Sequence, residues 1–208
     1  MNAAKIRLSP NEMDLVTNAE WILTKNGIMR KAWHLLEGLQ EYQQDLIISY
    51  QKELPPQALL VPAKISKGEN YRGLPYLVLD YPRFFEKENA FAIRTMFWWG
   101  HFFSITLHLS GNMKALYIPS LLQGYRQLAD NSFYFSTNDE EWEHHFESDN
   151  YSLLHEITEK QYREQLQERP FIKLAQKVEL VKWNDAHDIL AKYYSELVGL
   201  LHHQLPSR

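Results

Sequence analysis

The sequence predicts an α+β fold, with helices at both ends of the chain and a mostly antiparallel sheet between them. Apolar residues follow helical spacing before residue 52 and again after residue 151, whereas β-branched and aromatic residues, punctuated by glycine and proline, dominate residues 57–137. Helices, then strands, then helices are typical of an architecture in which the helices pack on the sheet. No repeat or flexible linker divides the 208 residues, so we expect a single domain, residues 1–208.

A capping box predicts the start of the first helix. Ser9 suits the N-cap, Pro10 suits the first helical position, and Glu12 stands three residues after Ser9. Gly27 is expected to end this helix, because glycine adopts the left-handed conformation that follows a helix without strain. A second helix is predicted directly after it. The short connection makes the pair an antiparallel helical hairpin over residues 9–52.

The central region, residues 57–137, is predicted to supply five or six strands. Glycine and proline divide it into short runs that are rich in β-branched and aromatic side chains. A short helix, residues 120–129, is expected to interrupt the last two strands. The predicted strands are residues 59–65, 76–81, 91–99, 102–110, 115–118 and 133–137.

An acidic segment, residues 138–150, follows the predicted sheet. It carries six carboxylates, and no lysine or arginine occurs between Arg126 and Lys160. The two halves of the chain differ accordingly: residues 1–104 hold 12 basic and 11 acidic residues, net +1, and residues 105–208 hold 10 and 15, net −5. A solvated loop or the solvated face of a short helix is the expected structure for the acidic segment.

Helices are predicted over the C-terminal residues 151–205. Thr158 and Gln161 form a second capping box, and the last helix is expected to begin after Asn184. Between them, the apolar residues after Pro170 fit a helix better than a strand. The residues that favour a helix there are Phe171, Leu174, Ala175, Val178 and Val181.

The pairing of the two central strands follows from their side-chain patterns. The apolar residues are the odd-numbered ones, from Phe91 on the first strand and from Phe103 on the second, and both sets must lie on one face. A three-residue turn, 99–101, meets this requirement because it pairs residues of equal parity, whereas a two-residue turn would set the apolar faces against each other. The predicted pairs are Phe97–Phe103, Thr95–Ile105 and Arg94–Thr106, with His108 diagonal to Arg94.

The second face of this hairpin is neither fully polar nor fully apolar. It combines a cation, an imidazole and aromatic side chains, and the strand at 76–81 adds a carboxylate if its leucines face the core. Such a face can line a ligand site, or another element can cover it while Arg94 pairs with a structural carboxylate. Both interpretations stay open. The candidate ligand-binding residues are Asp80, Arg94, Trp98, Phe102, Thr106 and His108.

Several classes of protein lack their sequence signature here. The absence of cysteine excludes disulfides, thiolate metal sites and a cysteine nucleophile. No G-x-S-x-G, G-x-G-x-x-G or P-loop pattern occurs. The net charge of −4, without clustered lysine and arginine, argues against a nucleic-acid partner.

No apolar stretch approaches the ~20 residues of a membrane span, and the first residues lack the apolar core of a secretory signal. We therefore expect no membrane partner and a cytoplasmic location.

A metal site in the acidic segment is the one cofactor hypothesis that the spacing raises. Glu141 and His145 have the i,i+4 spacing of two ligands on one helix face, as do Glu140 and His144. No H-E-x-x-H or comparable pattern accompanies them, and acidic neighbours are typical of an exposed loop. The prediction is therefore no metal and no cofactor.

Two classes of function remain. The first is a non-catalytic binding or interaction protein that meets a protein partner or a second copy of itself. The absence of catalytic motifs and the six tryptophans favour it, because Trp, Tyr and Arg dominate interface energetics. The alternative is a small-molecule enzyme or ligand-binding protein, in which Arg94 anchors a small anionic ligand and His108 acts as an acid or base. The sequence does not decide whether the protein is an enzyme.

Overall fold

The computed structural model describes residues 6–201 and shows an α+β fold around one seven-stranded antiparallel sheet. This confirms the predicted fold class, although the sheet has seven strands rather than the expected five or six. The strand order is β1-β2-β3-β4-β7-β5-β6. The strands are β1 Lys64–Tyr71, β2 Leu74–Phe85, β3 Ala90–Trp98, β4 Phe102–Ser110, β5 Tyr134–Ser136, β6 Tyr151–Leu153 and β7 Phe171–Glu179.

The register of the central hairpin is the predicted one. Phe97 lies opposite Phe103, Thr95 opposite Ile105, and Arg94 opposite Thr106. Gly100 has a φ of +76°, a conformation that glycine adopts without steric cost. The odd-numbered residues of β3 and β4 therefore share one face of the sheet, and the even-numbered residues share the other.

Helices cover the face that carries the odd-numbered residues. Buried residues of the long helix α2, of α4 and of α7 join the leucines and phenylalanines of β3 and β4 in one apolar core. Burial of this surface is the main force that holds the two layers together. The helices are α1 Pro10–Thr17, α2 Ala19–Ile48, α3 Pro56–Leu60, α4 Gly111–Gln123, α5 Tyr125–Asp130, α6 Glu159–Glu168 and α7 Ala186–Leu200.

The acidic segment covers the other face. Residues 138–150 connect β5 to the edge strand β6 through turns and irregular backbone, and we call them the strap. His145 and Asn150 of the strap are buried, whereas Asp139 and Asp149 face solvent. The expectation of a solvated loop is therefore wrong for the inner half of the strap and correct for its outer carboxylates.

Both predicted capping boxes are present, at Ser9 and at Thr158. The predicted helical hairpin over residues 9–52 is wrong, because α2 continues through Gly27 and ends only at Ile48. Glycine inside a helix costs roughly 1 kcal/mol relative to alanine, and this cost is too small to stop a helix whose neighbouring residues favour it.

Further expectations on secondary structure are wrong, and residues 151–153, which were expected to be helical, form strand β6. Residues 171–179 form strand β7 rather than a helix, and they extend the sheet beyond the predicted region, residues 57–137. The alternation of Ile172, Leu174 and Val178 on the core face matches a strand, although Leu174 and Val178 also have helical spacing. Residues 115–118 belong to helix α4, and the predicted strand 59–65 divides into the end of α3 and the start of β1.

A glycine substitution tests the continuity of α2. Gly27 has helical geometry, and an added Cβ would meet no atom within 4 Å, so we expect Gly27→Ala to raise the free energy of unfolding by about 0.5–1 kcal/mol. Gly73→Ala is the matched control. It also meets no neighbour, but its φ of +84° makes alanine destabilising by about 1–2 kcal/mol. Thermal unfolding measures both, and destabilisation by Gly27→Ala would contradict a continuous helix.

Candidate functional site

Four of the six predicted site residues form a polar ladder across the strapped face. Asp80 on β2 lies opposite Arg94 on β3, and Arg94 lies opposite Thr106 on β4. His108 follows two residues along β4, where it lies opposite Lys173 on β7. Because the strands pair antiparallel with matched parity, all these side chains point to the same side of the sheet.

Arg94 is held by partners on both sides. Its Nε donates to Asp80 Oδ1 at 2.7 Å and its Nη2 donates to Asp80 Oδ2 at 2.9 Å, a bidentate pair within the sheet. Its Nη1 donates to Nε2 of His144 in the strap at 3.2 Å. The guanidinium also lies 5.7 Å from the ring centroid of Trp142. The sheet therefore supplies the carboxylate that neutralises Arg94, and the strap closes over the pair.

His108 connects β4 to the strap. Its Nε2 lies 2.7 Å from Oε1 of Glu141, and the indole of Trp142 packs edge-on against its ring. Burial lowers the pKa of His108, an effect that the neighbouring Glu141 opposes without reversing. The hydrogen bond to His108 lowers the pKa of Glu141 in turn. The pair is therefore a neutral imidazole that donates to a carboxylate.

Lys173 is a buried cation that the sequence analysis missed. Only 1% of its surface is exposed, and its Nζ donates to the backbone carbonyl of Glu143 at 2.6 Å. The ammonium also lies over the rings of Tyr151 and Phe171, at 5.4 and 5.6 Å from their centroids. Burial lowers its pKa to about 8. The cost of desolvating this charge is thus only partly offset by its partners.

Tyr71, at the end of β1, fixes the middle of the strap. Its hydroxyl donates to Glu143 Oε2 at 2.8 Å and accepts the backbone N–H groups of His144 at 2.7 Å and His145 at 3.1 Å. Arg72 adds an ion pair to the same Glu143 oxygen at 3.2 Å. Tyr71 and Arg72 at the sheet edge therefore orient the consecutive strap residues 143–145.

Trp98 and Phe102, the other two predicted site residues, lie at the turn end of the hairpin in a separate apolar cluster with Val78 and Met96. Phe146 of the strap packs edge-on against Phe102, with ring centroids 5.1 Å apart. The indole Nε1 of Trp98 donates to the carbonyl of Tyr71 at 3.2 Å. Phe102 therefore contacts the strap directly, whereas Trp98 contacts Tyr71.

A cleft of about 330 Å³ remains between the strap and strands β1 to β3. Asp80, Arg94 and His144 form part of its wall, together with the rings of Tyr71 and Trp142. Arg94 and Asp80 already neutralise each other there. Burial and the adjacent Arg94 charge hold the pKa of His144 well below its usual value, so this ring is a neutral acceptor. The contacts of this face therefore bind the strap to the sheet and engage both Arg94 and His108.

The strap partners were missed because they are distant in sequence. Tyr71, Glu143, His144 and Lys173 come from β1, the strap and β7, and no spacing rule relates such segments. A signal for Lys173 existed in the alternation of residues 171–178, once that segment is read as a strand. Nothing in the sequence indicated that the acidic segment folds back on the cations of the sheet.

The N-terminal arm, which we define as residues 6–24, is an exposed surface that is rich in apolar side chains. Every one of its residues is exposed, and helix α1 has no buried residue. Contiguous apolar patches on soluble proteins mark interaction sites when they exceed several hundred Å². The large apolar side chains of the arm, each between 41% and 76% exposed, are Ile6, Leu8, Met13, Leu15, Val16, Trp21, Ile22 and Leu23.

Comparison with known proteins found no matching protein family, no similar curated protein and no similar solved structure. Within residues 6–201, no helix has the length and apolar character needed to cross a membrane. In the same range, no group of three or more histidines and carboxylates is arranged to hold a metal ion. Glu141 bonds to His108 instead of sharing a ligand set with His145.

Acidification tests the strapped face. His108 and His144 have lowered pKa values in the folded protein, so below their ordinary value of 6.5 the unfolded chain binds more protons than the folded one. The contribution of these two histidines to the free energy of unfolding is therefore fully present above about pH 6.5 and decreases as the pH falls, by at most ~1.4 kcal/mol per pH unit for each histidine. Urea unfolding between about pH 7 and pH 5 measures this slope.

The double variant His108→Gln with His144→Gln should reduce the slope, because neither glutamine titrates. His34→Gln is the matched control, since His34 is exposed on α2 and distant in sequence from the strap. A wild-type stability that is flat over this range, or a slope that the double variant leaves unchanged, would contradict the assignment of neutral histidines under the strap.

Proposed function

We propose that this chain is a non-catalytic interaction protein that binds a protein partner through its N-terminal arm. The observation that carries the proposal is that every residue from 6 to 24 is exposed, including eight large apolar side chains. Burying such a side chain contributes about 1.5–3 kcal/mol, so a partner that covers the arm gains substantial binding energy.

The length of α1 supports the same proposal. Helices shorter than about 12–15 residues are marginal in water unless packing stabilises them. Helix α1 has 8 residues, and no described element of the chain buries any of them. Its capping box contributes only about 1 kcal/mol. A partner surface would supply the packing that this helix lacks.

The covered sheet face also favours an interaction protein over an enzyme. Arg94 and His108, which the alternative hypothesis assigns to ligand binding and proton transfer, are engaged by Asp80, His144 and Glu141. A small-molecule site there would first have to displace the strap. The arm needs no such rearrangement.

Site-specific photo-crosslinking in cells tests the proposed function. A benzophenone amino acid replaces Val16 in the arm, which is 68% exposed, and in a matched control it replaces Val181, which is 93% exposed. We expect a covalent adduct from position 16 and none from position 181. The absence of any adduct at position 16, or equal adducts at both valines, would contradict docking through the arm.

A further inference from the structure

A second cleft, of about 410 Å³, opens on the strapped face where β2 turns into β3 and β4 leads into α4. Its volume lies in the range of small-molecule sites. The turn at residues 86–89 forms one wall, and residues of the strap form another. We call it the turn cleft. The residues that border it lie between positions 85 and 171, so it is separate from the arm.

The turn wall is fixed to the start of α4. The backbone N–H of Glu86 donates to the carbonyl of Asn89 at 2.8 Å and closes the turn. The side chain of Asn89 then accepts the backbone N–H of Asn112 at 2.7 Å. At Gly111 a Cβ would collide with the carbonyl oxygen of Glu88, so the turn packs directly on the helix. The wall is therefore preformed, and one N–H of the helix start is already occupied.

Negative charge dominates the turn cleft. Four carboxylates and one lysine border it, namely Glu86, Glu88, Asp139, Glu141 and Lys87. Glu86 and Glu88 are exposed. Glu141 keeps its full charge because its histidine partner is neutral. Within residues 6–201, Asp139 is the one member of the four that pairs with a lysine or arginine, at 3.3 Å from Arg169. The cleft therefore attracts cations.

The distribution of the carboxylates selects the kind of cation. Two stand on the turn and two on the strap, and no three carboxylates or histidines of residues 6–201 are arranged to hold a metal ion. A compact metal ion requires several ligand atoms that converge on one point. An organic cation whose charges are spread along a chain instead matches carboxylates on two separate walls.

Two exposed aromatic rings complete these walls. Phe85 and Trp142 border the turn cleft, with ring centroids 6.0 Å apart. Aromatic rings attract ammonium groups and pack well against methylene chains. Both rings already contact one cation, since the guanidinium of Arg94 lies 6.0 and 5.7 Å from their centroids. Rings of this kind suit an amine that also has apolar segments.

Ser110 adds a polar group without a partner. It is only 8% exposed, and it borders the turn cleft. As an even-numbered residue of β4, it points to the strapped face, on which the cleft lies. Its hydroxyl does not cap α4 and forms no other hydrogen bond within residues 6–201. A hydroxyl that is this buried is costly to leave unpaired, and an ammonium that donates to it would satisfy it.

We propose that the turn cleft binds a linear aliphatic polyamine. Its ammonium groups pair with carboxylates of the turn and of the strap, and one of them donates to Ser110. Its methylene segments pack against Phe85 and Trp142. This site goes beyond the proposed docking function and does not depend on it.

Isothermal titration calorimetry of the full chain with spermidine tests the proposal. We expect one saturable site per chain. Glu86→Gln with Glu88→Gln removes two charges from exposed positions of the turn, so we expect binding to be about tenfold weaker. Ser110→Ala removes the unpaired hydroxyl, and we expect binding to be about threefold to tenfold weaker. All variants should keep the wild-type unfolding temperature.

Glu41→Gln with Asp45→Asn is the matched control, because it removes the same charge from exposed positions on α2. This control should bind spermidine like wild type. Absence of saturable binding would overturn the proposal. Equal weakening by the control and by the turn variant would overturn it as well, since attraction would then follow net charge alone. Tetramethylammonium that binds as tightly as spermidine would also contradict it, because a single compact charge would then suffice.

Discussion

The three-residue turn at Trp99-Gly100-His101 determines which side chains of the central hairpin lie on each face of the sheet, and both layers of the protein depend on it. A turn shorter by one residue would move Ile105 and Leu107 away from the helices and expose the opposite set to the core. With the observed turn, the helical side receives a mainly apolar surface, in which Thr95 and Gln176 are buried polar residues. The other side receives Arg94, Thr106 and His108, whose polar atoms require partners.

The strap supplies some of these partners. Arg94, His108 and Lys173 all lie on this face of the sheet, and Asp80 is the sheet carboxylate that pairs with Arg94. The strap supplies Glu141 to His108 and the carbonyl of Glu143 to Lys173. A buried polar layer of this kind contributes little net stability, as the lowered pKa of Lys173 illustrates, but any member left without its partner is costly. The network therefore defines where the strap lies more than it adds to the free energy of folding.

The parts of this structure that sequence reasoning recovered depend on local rules. The register of β3 and β4 follows from alternation and turn length, and the caps at Ser9 and Thr158 follow from side-chain chemistry within one helical turn. The contact of Arg94 with Asp80 was reachable in the same way, because Leu77 and Leu79 fix the facing of β2. These inferences need no knowledge of distant segments.

The parts that it did not recover depend on contacts between distant segments or on competing weak signals. The apolar residues around Leu174 fit both the helical and the strand period, and the pairing of this segment with β4 makes it a strand. Gly27 is a weak stop signal that the rest of α2 overrides. The amphipathic pattern of the arm indicates an apolar face, but the pattern alone does not show whether another part of the same chain covers that face.

Helices cover one face of the sheet and the strap covers the other, and the arm is the proposed docking surface. Hydrogen–deuterium exchange of the purified protein tests this division most directly. Amides of α1, residues 10–17, should exchange rapidly because no residue of this helix is buried, whereas strap amides such as those of His144 and His145 should exchange slowly. Slow exchange throughout α1 together with rapid exchange in the strap would contradict this division.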